Sequence, residues 1–294
     1  MADSISNQNK ILITGATGKL GFALFTRFST INECIPLSYT NSTENGFNLD
    51  LTEELAVDRL FDQVQPDIII HTAALTDVDF CEEYPEKAYS LNVLATKNIV
   101  KWISEKSETT KIIYISTDHI YSNEGLSAEN DVNPINVYAL TKLWGEDIVS
   151  GHDKHLIVRT NFFGLKINGI VNWVIESAKN NKEIFLFDDI YFNPLHLATL
   201  TDVLVELVEK DISGTYNLGS SGLGITKAEF IERVASAFNL SNKLFKHCNS
   251  TDVSFMKARR PKDMRMNISA IQKLLDYEIP DIESSILKMH LKRT

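Results

Sequence analysis

Cysteine is scarce in this sequence. It occurs only at Cys34, Cys81 and Cys248, an odd count with no CxxC spacing, which suggests neither a zinc site nor a disulfide scaffold. The seven histidines form no HExxH pattern, and no metal is expected. No stretch approaches the roughly 18 consecutive apolar residues of a membrane span. The opening MADSISNQNK is polar and lacks the apolar core of a signal peptide. A cytoplasmic, reduced protein without a membrane partner is the expectation. Positive charge is in the minority: Lys plus Arg number 29 against 39 Asp plus Glu, a net charge of −10 with no acidic block. A nucleic-acid surface normally needs a basic patch, so no nucleic acid is expected as partner, although a local basic pocket for a small anion is compatible with the balance. Internal repeats and low-complexity linkers are absent too.

What is present is ordinary in amount and informative in order. At 294 residues, 44% hydrophobic and 23% charged, the chain suits one large domain or a main domain with a smaller one attached. Its first half alternates strand and helix. KILIT (10–14), ECIPLSY (33–39), DIIIHT (67–72), KIIYIST (111–117) and HLIVRT (155–160) read as strands. Between them, 20–28, 53–64, 85–102 and 134–148 have helical spacing. The unbroken apolar runs fit strands buried on both faces, and the alternation implies βαβ units around a parallel sheet. Beyond residue 160 the rhythm loosens, with helices expected over 171–180, 197–210 and 226–239, and strands at EIFLFDD and GTYNLGS. The fold class read from this is α/β: a doubly wound parallel (Rossmann) sheet over 1–165, then a smaller C-terminal α/β lobe over 166–294, with some elements crossing between them.

The first strand runs straight into Gly15-Ala16-Thr17-Gly18-Lys19-Leu20-Gly21. Glycines between a strand and a helix let backbone approach a pyrophosphate and aim the helix amino terminus at it; the bland alternative is a tight turn with packing glycines. The spacing is GxxGxxG rather than GxGxxG. At the end of the second strand an acid would bond a ribose 2′-hydroxyl and favour NAD, while a basic residue would accept a 2′-phosphate. Ser38, Tyr39, Thr40 and Asn41 supply neither, so NADPH is slightly preferred, with Lys19 or the hydroxyls as phosphate partners, and NADH stays open. Asp50 and Leu51 precede the second helix, where adenine would lie, though Asp50 fits a helix start equally well. His71, Thr72, Ala73 and Ala74 close the third strand, leaving room for a cofactor or serving a tight bend.

The fourth strand ends in Ser116-Thr117-Asp118, and the next helix carries Tyr138 and Lys142, four residues apart and so on one face. In an open parallel sheet ligands bind off the carboxyl ends of the strands, where all these residues converge. The chain here resembles the extended short-chain dehydrogenase/reductase superfamily, in which the Ser/Thr, the Tyr of YxxxK and its Lys form the catalytic group. HTAALTDVDFCEEYPEKAYSLN, STDHIY, NPINVYALTKLWGE and ARRPKDMRMNISAIQKLL narrow the likeness to the dTDP-4-dehydrorhamnose reductase family, over nearly the whole chain. The resemblance implies NAD(P)H-dependent reduction of the 4-keto group of a nucleotide-activated 6-deoxy sugar. Tyr138 would be the proton donor, its pKa lowered by the neighbouring charge. Lys142 would stabilise the phenolate and hold the nicotinamide ribose, and Thr117 would bond the carbonyl oxygen. Substrate contacts would come from Thr117, Asp118 and Asn161, and Arg260 suits a nucleotide diphosphate unless it belongs to a surface basic cluster.

Three departures from the family pattern bear on function. Asp118 is followed by His119, where related 4,6-dehydratases carry a Glu used in elimination; a packing or surface histidine is the reading given to it. RTNFFG (159–164) lacks the reductases' Trp, and YFNPLH (191–196) replaces a Gly- and Thr-containing turn, which leaves the sugar unidentified. Two rivals stand beside the reductase: an NAD-dependent epimerase, and a non-catalytic regulatory subunit that keeps the fold. By family analogy the helices over 85–102 and 134–148 are the face to test for a homodimer.

Overall fold

A computed structural model of the chain describes residues 9–40, 46–165 and 169–291; Asn41 and the first eight residues lie outside them. Seven strands form the main sheet. They are β1 (Lys10–Thr14), β2 (Glu33–Ser38), β3 (Phe47–Asn48), β4 (Ile68–His71), β5 (Lys111–Thr117), β6 (His155–Thr160) and β7 (Gly214–Leu218). Their order is β7-β6-β5-β4-β1-β2-β3, every pair parallel. The order reverses between β1 and β4, which places a crevice above the carboxyl ends of those two strands.

Helices cover both faces because each carries one apolar stripe. On one face α1 (Lys19–Phe28) packs its Leu20, Leu24 and Phe28 against Ile11, Ile13 and Ile70. On the other, α2 (Glu54–Val64), α3 (Ala95–Lys106) and α4 (Val137–Ser150) cover Leu12, Ile69, Ile112 and Ile157, with Phe61 and Trp102 edge to face at 5.4 Å. The lobe has a core of its own around Phe163, Phe192 and Phe230, built from α5 (Ile170–Lys179), the later helix α7 (Lys227–Ala237) and α8 (Ile282–Leu291). Between them, α6 (Leu197–Glu209) completes the first face and β7 the edge of the sheet beside β6.

Two expected helices differ in detail. Helix α4 begins at Val137, three residues later than its apolar spacing suggested, because Asn136 is extended and its side chain accepts from the Ala139 N–H at 2.8 Å, a capping role that stops the helix extending backward. The helix over 85–102 runs on to Lys106, but Ser90–Leu94 is a π turn. In that wide turn Asn92 bonds the Leu75 N–H (2.8 Å), the Leu75 carbonyl (3.1 Å) and the Thr141 hydroxyl (3.1 Å). It thereby ties the loop after β4 to α4. Tyr89 and Trp144, edge to face at 6.2 Å, are exposed aromatics on this helical run and on α4.

Candidate active site

The loop after β1 is shaped by its glycines. Gly15 has φ +66°, and a Cβ there would come within 2.8 Å of the Ala73 nitrogen, so only glycine fits without strain. A Cβ on Gly21 would strike the Gly15 carbonyl. No side chain caps α1, whose amino-terminal cap is Gly18, and its first N–H groups are left for an anion in the crevice. Thr14 and Thr72 brace the loop: the Thr72 hydroxyl donates to the Thr14 carbonyl at 2.6 Å, and the Thr14 hydroxyl accepts from the Ala73 N–H at 3.2 Å.

Two cavities meet at this loop. One, of about 650 Å³, is walled by Leu37, Ser38, Tyr39, Thr40, Asp50, Leu51 and Ala73. The other, of about 560 Å³, is walled by Gly18, Lys19, Leu20, Gly21, Thr117, Asp118, Tyr138, Lys142 and Asn161. Gly15, Thr17 and Ala74 line both. Apart from Arg260, His71 and Asn41, which lies outside the described residues, the residues singled out for the site in the sequence line one or other of these two adjoining cavities. Asp50 serves its turn as well, accepting from the Thr52 N–H (2.9 Å) and hydroxyl (2.7 Å). His71 is not part of the wall; it is sealed in the sheet between the Thr14 hydroxyl (2.7 Å) and the Thr96 hydroxyl (3.1 Å).

Tyr138 sits in the first turn of α4, fixed from outside by the Val137 N–H on Glu82 (3.0 Å) and by the Asn136 amide on the Arg259 carbonyl (3.0 Å). Lys142, one turn on, is buried. Its ammonium donates to the Ile115 carbonyl at 2.8 Å and lies 3.9 Å from the Tyr114 ring centroid. The sequence reading of a phenol made acidic by this ammonium needs correction. Burial pushes the Tyr138 pKa up; the Thr117 hydroxyl pulls it down, while Asp118 and Cys81 add to the rise, so the phenol holds its proton. Burial also brings Lys142 down to about 7, against an opposing pull from Glu146, which leaves the ammonium partly discharged at neutral pH.

Asp118 is fully enclosed. Its carboxylate accepts from the Asn161 amide at 2.7 Å and from the Thr117 hydroxyl at 3.3 Å, and burial raises its pKa to about 6. Thr117 also accepts from the His119 N–H at 3.1 Å, so its hydroxyl hydrogen, held by a long bond, is the one free to turn to another oxygen.

Arg260 lies outside the two cavities. It grips Asp79 with both nitrogens (3.0 and 2.8 Å) and lines a third cavity of about 660 Å³ with Lys257, Arg259 and Lys262. His119 packs its ring edge to face with Tyr138 at 5.5 Å and lines the crevice. Residue type gave no sign of this; its place directly after the strand-end Thr117-Asp118 did. Ser116 and Thr160, also on the wall, carry no site role in the sequence reading. Each has a buried hydroxyl without a partner, and each stands in or beside a strand-end motif that was read for its neighbours. Among the described residues no group of three or more His, Cys, Asp or Glu is placed to hold a metal ion, and no helix is long and apolar enough to cross a membrane.

Comparison with known proteins gives this geometry a lineage. The sequence profile described as "RmlD substrate binding domain" matches residues 9–293. A solved structure of a hypothetical dTDP-4-dehydrorhamnose reductase from Sulfolobus tokodaii is 32% identical, with TM-score 0.84, covering 93% of this chain and 98% of the other. The Bacillus anthracis dTDP-4-dehydrorhamnose reductase, solved in complex with NADP, is 26% identical with TM-score 0.87, covering 97% and 99%. Methionine adenosyltransferase 2 subunit beta of Rattus norvegicus is 28% identical over 286 residues, 90% of this chain and 82% of the relative.

Proposed function

This chain belongs to the RmlD substrate binding domain family, and from that premise we propose that it is an NAD(P)H-dependent reductase of the 4-keto group of a nucleotide-activated 6-deoxy sugar, with Tyr138 as proton donor. The observation carrying this reading is the convergence of the glycine cradle, Thr117, Asp118, Tyr138 and Lys142 on one crevice.

The residues present fit a dinucleotide. The backbone at Gly15 and Gly21 leaves no room for a side chain, the first turn of α1 offers uncapped N–H groups, and the buried Ser38 hydroxyl on the first cavity wall is without a partner. Gly15, Thr17, Gly18, Lys19, Leu20 and Gly21 would hold the pyrophosphate, and Asp50, Leu51, Ala73 and Ala74 the adenosine. Lys142 and Tyr138 would face the nicotinamide end. The cofactor, when bound, supplies a hydride. With no acid among Ser38, Tyr39 and Thr40, a 2′-phosphate meets no repulsion, which favours NADPH and leaves NADH usable.

The chain's own residues then divide the remaining work. Tyr138, protonated at neutral pH, gives its hydrogen to the oxygen of the reduced carbonyl. Thr117 turns its hydroxyl from Asp118 to that oxygen and orients it. Lys142, a turn away, stabilises the phenolate left behind to the extent that it is charged. Asp118 and Asn161, held together, present a fixed polar edge to the sugar, and Arg260, gripped by Asp79, would reach the diphosphate only as part of that pair.

The test is stoichiometry. With dTDP-4-dehydrorhamnose the protein should oxidise one NADPH per sugar reduced, and Tyr138→Phe should lose at least about a hundredfold in kcat while still binding NADPH. An epimerase would consume no net NADPH. A regulatory subunit, the reading raised by the adenosyltransferase relative, would bind cofactor and turn nothing over. Either outcome, or unchanged kcat in Tyr138→Phe, removes the proposal.

A further inference from the structure

Seven buried side-chain nitrogen or oxygen atoms among the described residues lack a hydrogen-bond partner, and three of them, Ser116 Oγ, Thr160 Oγ1 and His119 Nδ1, belong to residues on the wall of the crevice. Such orphans are rare in folded proteins and ask for an explanation where they cluster. The two hydroxyls can rotate towards a ligand. The imidazole cannot change its connectivity, so its case is the sharper one.

His119 is anchored by its backbone N–H on Thr117 and by its ring against Tyr138. Nδ1 is sealed from solvent, which leaves Nε2 as the nitrogen open to the crevice. The charged groups that act on the ring are Lys227 at the start of α7 and Arg260 from the loop that reaches back to Asp79; the Tyr138 phenol packs edge to face with it, and Asp118 is its neighbour in the chain. Burial is the largest influence on its proton affinity; Lys227 and Arg260 push the same way, to a pKa of about 3. The ring is therefore neutral at neutral pH, and one nitrogen carries hydrogen. A hydrogen on Nδ1 would be a buried donor without acceptor, rarer in proteins than an unsatisfied acceptor, and the Nε2–H form is also the tautomer neutral histidine favours intrinsically.

We propose that His119 donates a hydrogen bond from Nε2–H to an oxygen of the sugar ring beside the reacting carbonyl and so orients the sugar against Tyr138. The proposal rests on the reductase reading for the identity of its ligand, not for the state of the ring. It also gives the charge arrangement a purpose. A protonated imidazole next to Tyr138 would be a second acid in the site; a neutral one leaves the phenol as the proton source while still offering a donor to the substrate.

Long-range 15N–1H spectra of histidine-labelled protein, loaded with NADP+, should show a His119 ring that does not titrate from about pH 5 to about pH 9 and carries its hydrogen on Nε2. An imidazolium at neutral pH, or hydrogen on Nδ1, overturns the proposal. Calorimetric titration of dTDP-4-dehydrorhamnose into the same NADP+-loaded protein supplies an affinity that does not depend on turnover. His119→Phe should weaken it about tenfold with NADPH binding unaltered, and His119→Gln, which keeps an N–H donor, should recover most of the loss. Equal affinities for wild type and His119→Phe overturn the proposal. If His119→Phe fails to fold, the spectra of the wild type decide alone. A protein that binds the sugar nucleotide with these ratios yet oxidises no NADPH would sink the reductase reading and leave the role of His119 standing.

Discussion

Glu146→Gln is the substitution that tests the electrostatics beneath the site. Glu146 lies one turn beyond Lys142 on α4 and is 3% exposed. Its carboxylate accepts from Arg159 Nε on both oxygens (3.1 and 3.0 Å) and from Nη2 at 2.6 Å. The third guanidinium nitrogen donates to the Tyr121 hydroxyl at 2.7 Å and to the Glu129 carbonyl. Glutamine keeps the size but removes the charge and turns an amide donor towards a buried cation. Breaking one partner of such a pair costs about 3–5 kcal/mol. Because Tyr121 and Glu129 keep their bonds, the low end applies, which for a chain of this length lowers Tm by about 5 °C. The same substitution removes the charge that holds Lys142 up, so the lysine falls further below 7 and is neutral at physiological pH. Folding then depends on pH with a definite sign. The unfolded chain binds a proton at Lys142 up to its ordinary 10.5 while the folded one releases it near 7, so this residue makes stability rise with pH across that window. The variant should widen the window downward, and the high-pH limb of NADPH oxidation should move to lower pH. Thermal melts at several pH values and a kcat profile check both. A loss under about 2 °C in Tm together with an unmoved profile would refute the reasoning.

Two further substitutions probe the frame around the site. Gly21→Ala puts a methyl group against the Gly15 carbonyl and should weaken NADPH binding at least about tenfold with a smaller loss of Tm; fluorescence titration reads it, and an unchanged Kd would mean the cradle does not hold the cofactor. Asp79→Asn loosens the strap between helix Val78–Glu83 and the 257–260 loop, where Asp79 accepts from two backbone N–H groups and both Arg260 nitrogens. Burial lifts this carboxyl, but Arg260 and the backbone donors hold it below 3.8, so its contribution is present above that value and fades as the pH falls through the folded pKa. With the Asp79 side chain 30% exposed, screening limits the loss at neutral pH to about 1 kcal/mol, and acid unfolding of the variant should be shallower than wild type. Identical acid titrations would contradict the strap.

The sheet was readable because its strands are buried on both faces. KILIT and KIIYIST are apolar runs of the length a parallel strand needs, and both occupy the residues read for them. The glycine loop was readable because its conformation excludes every other residue type at Gly15. These are local constraints, and local constraints leave a mark in local sequence. Asn136 left a weaker one, a capping residue inside a stretch that also carried helical spacing. What local sequence does not show has a different origin. The partner of Arg260, Asp79, is 181 residues away, so no local pattern shows that the guanidinium is paired. Tyr138 was read as acidified because Lys142 is four residues off, yet the ammonium turns to the Ile115 carbonyl and the Tyr114 ring on the strand beneath it, and burial dominates both groups. Spacing along a helix fixes which side chains share a face. What each of them touches, and therefore its charge, is fixed by the element packed against that face. For His119 that element holds Tyr138, with Lys227 and Arg260 adding their charge from farther along the chain, so a residue with no motif of its own is held neutral next to the proposed proton donor.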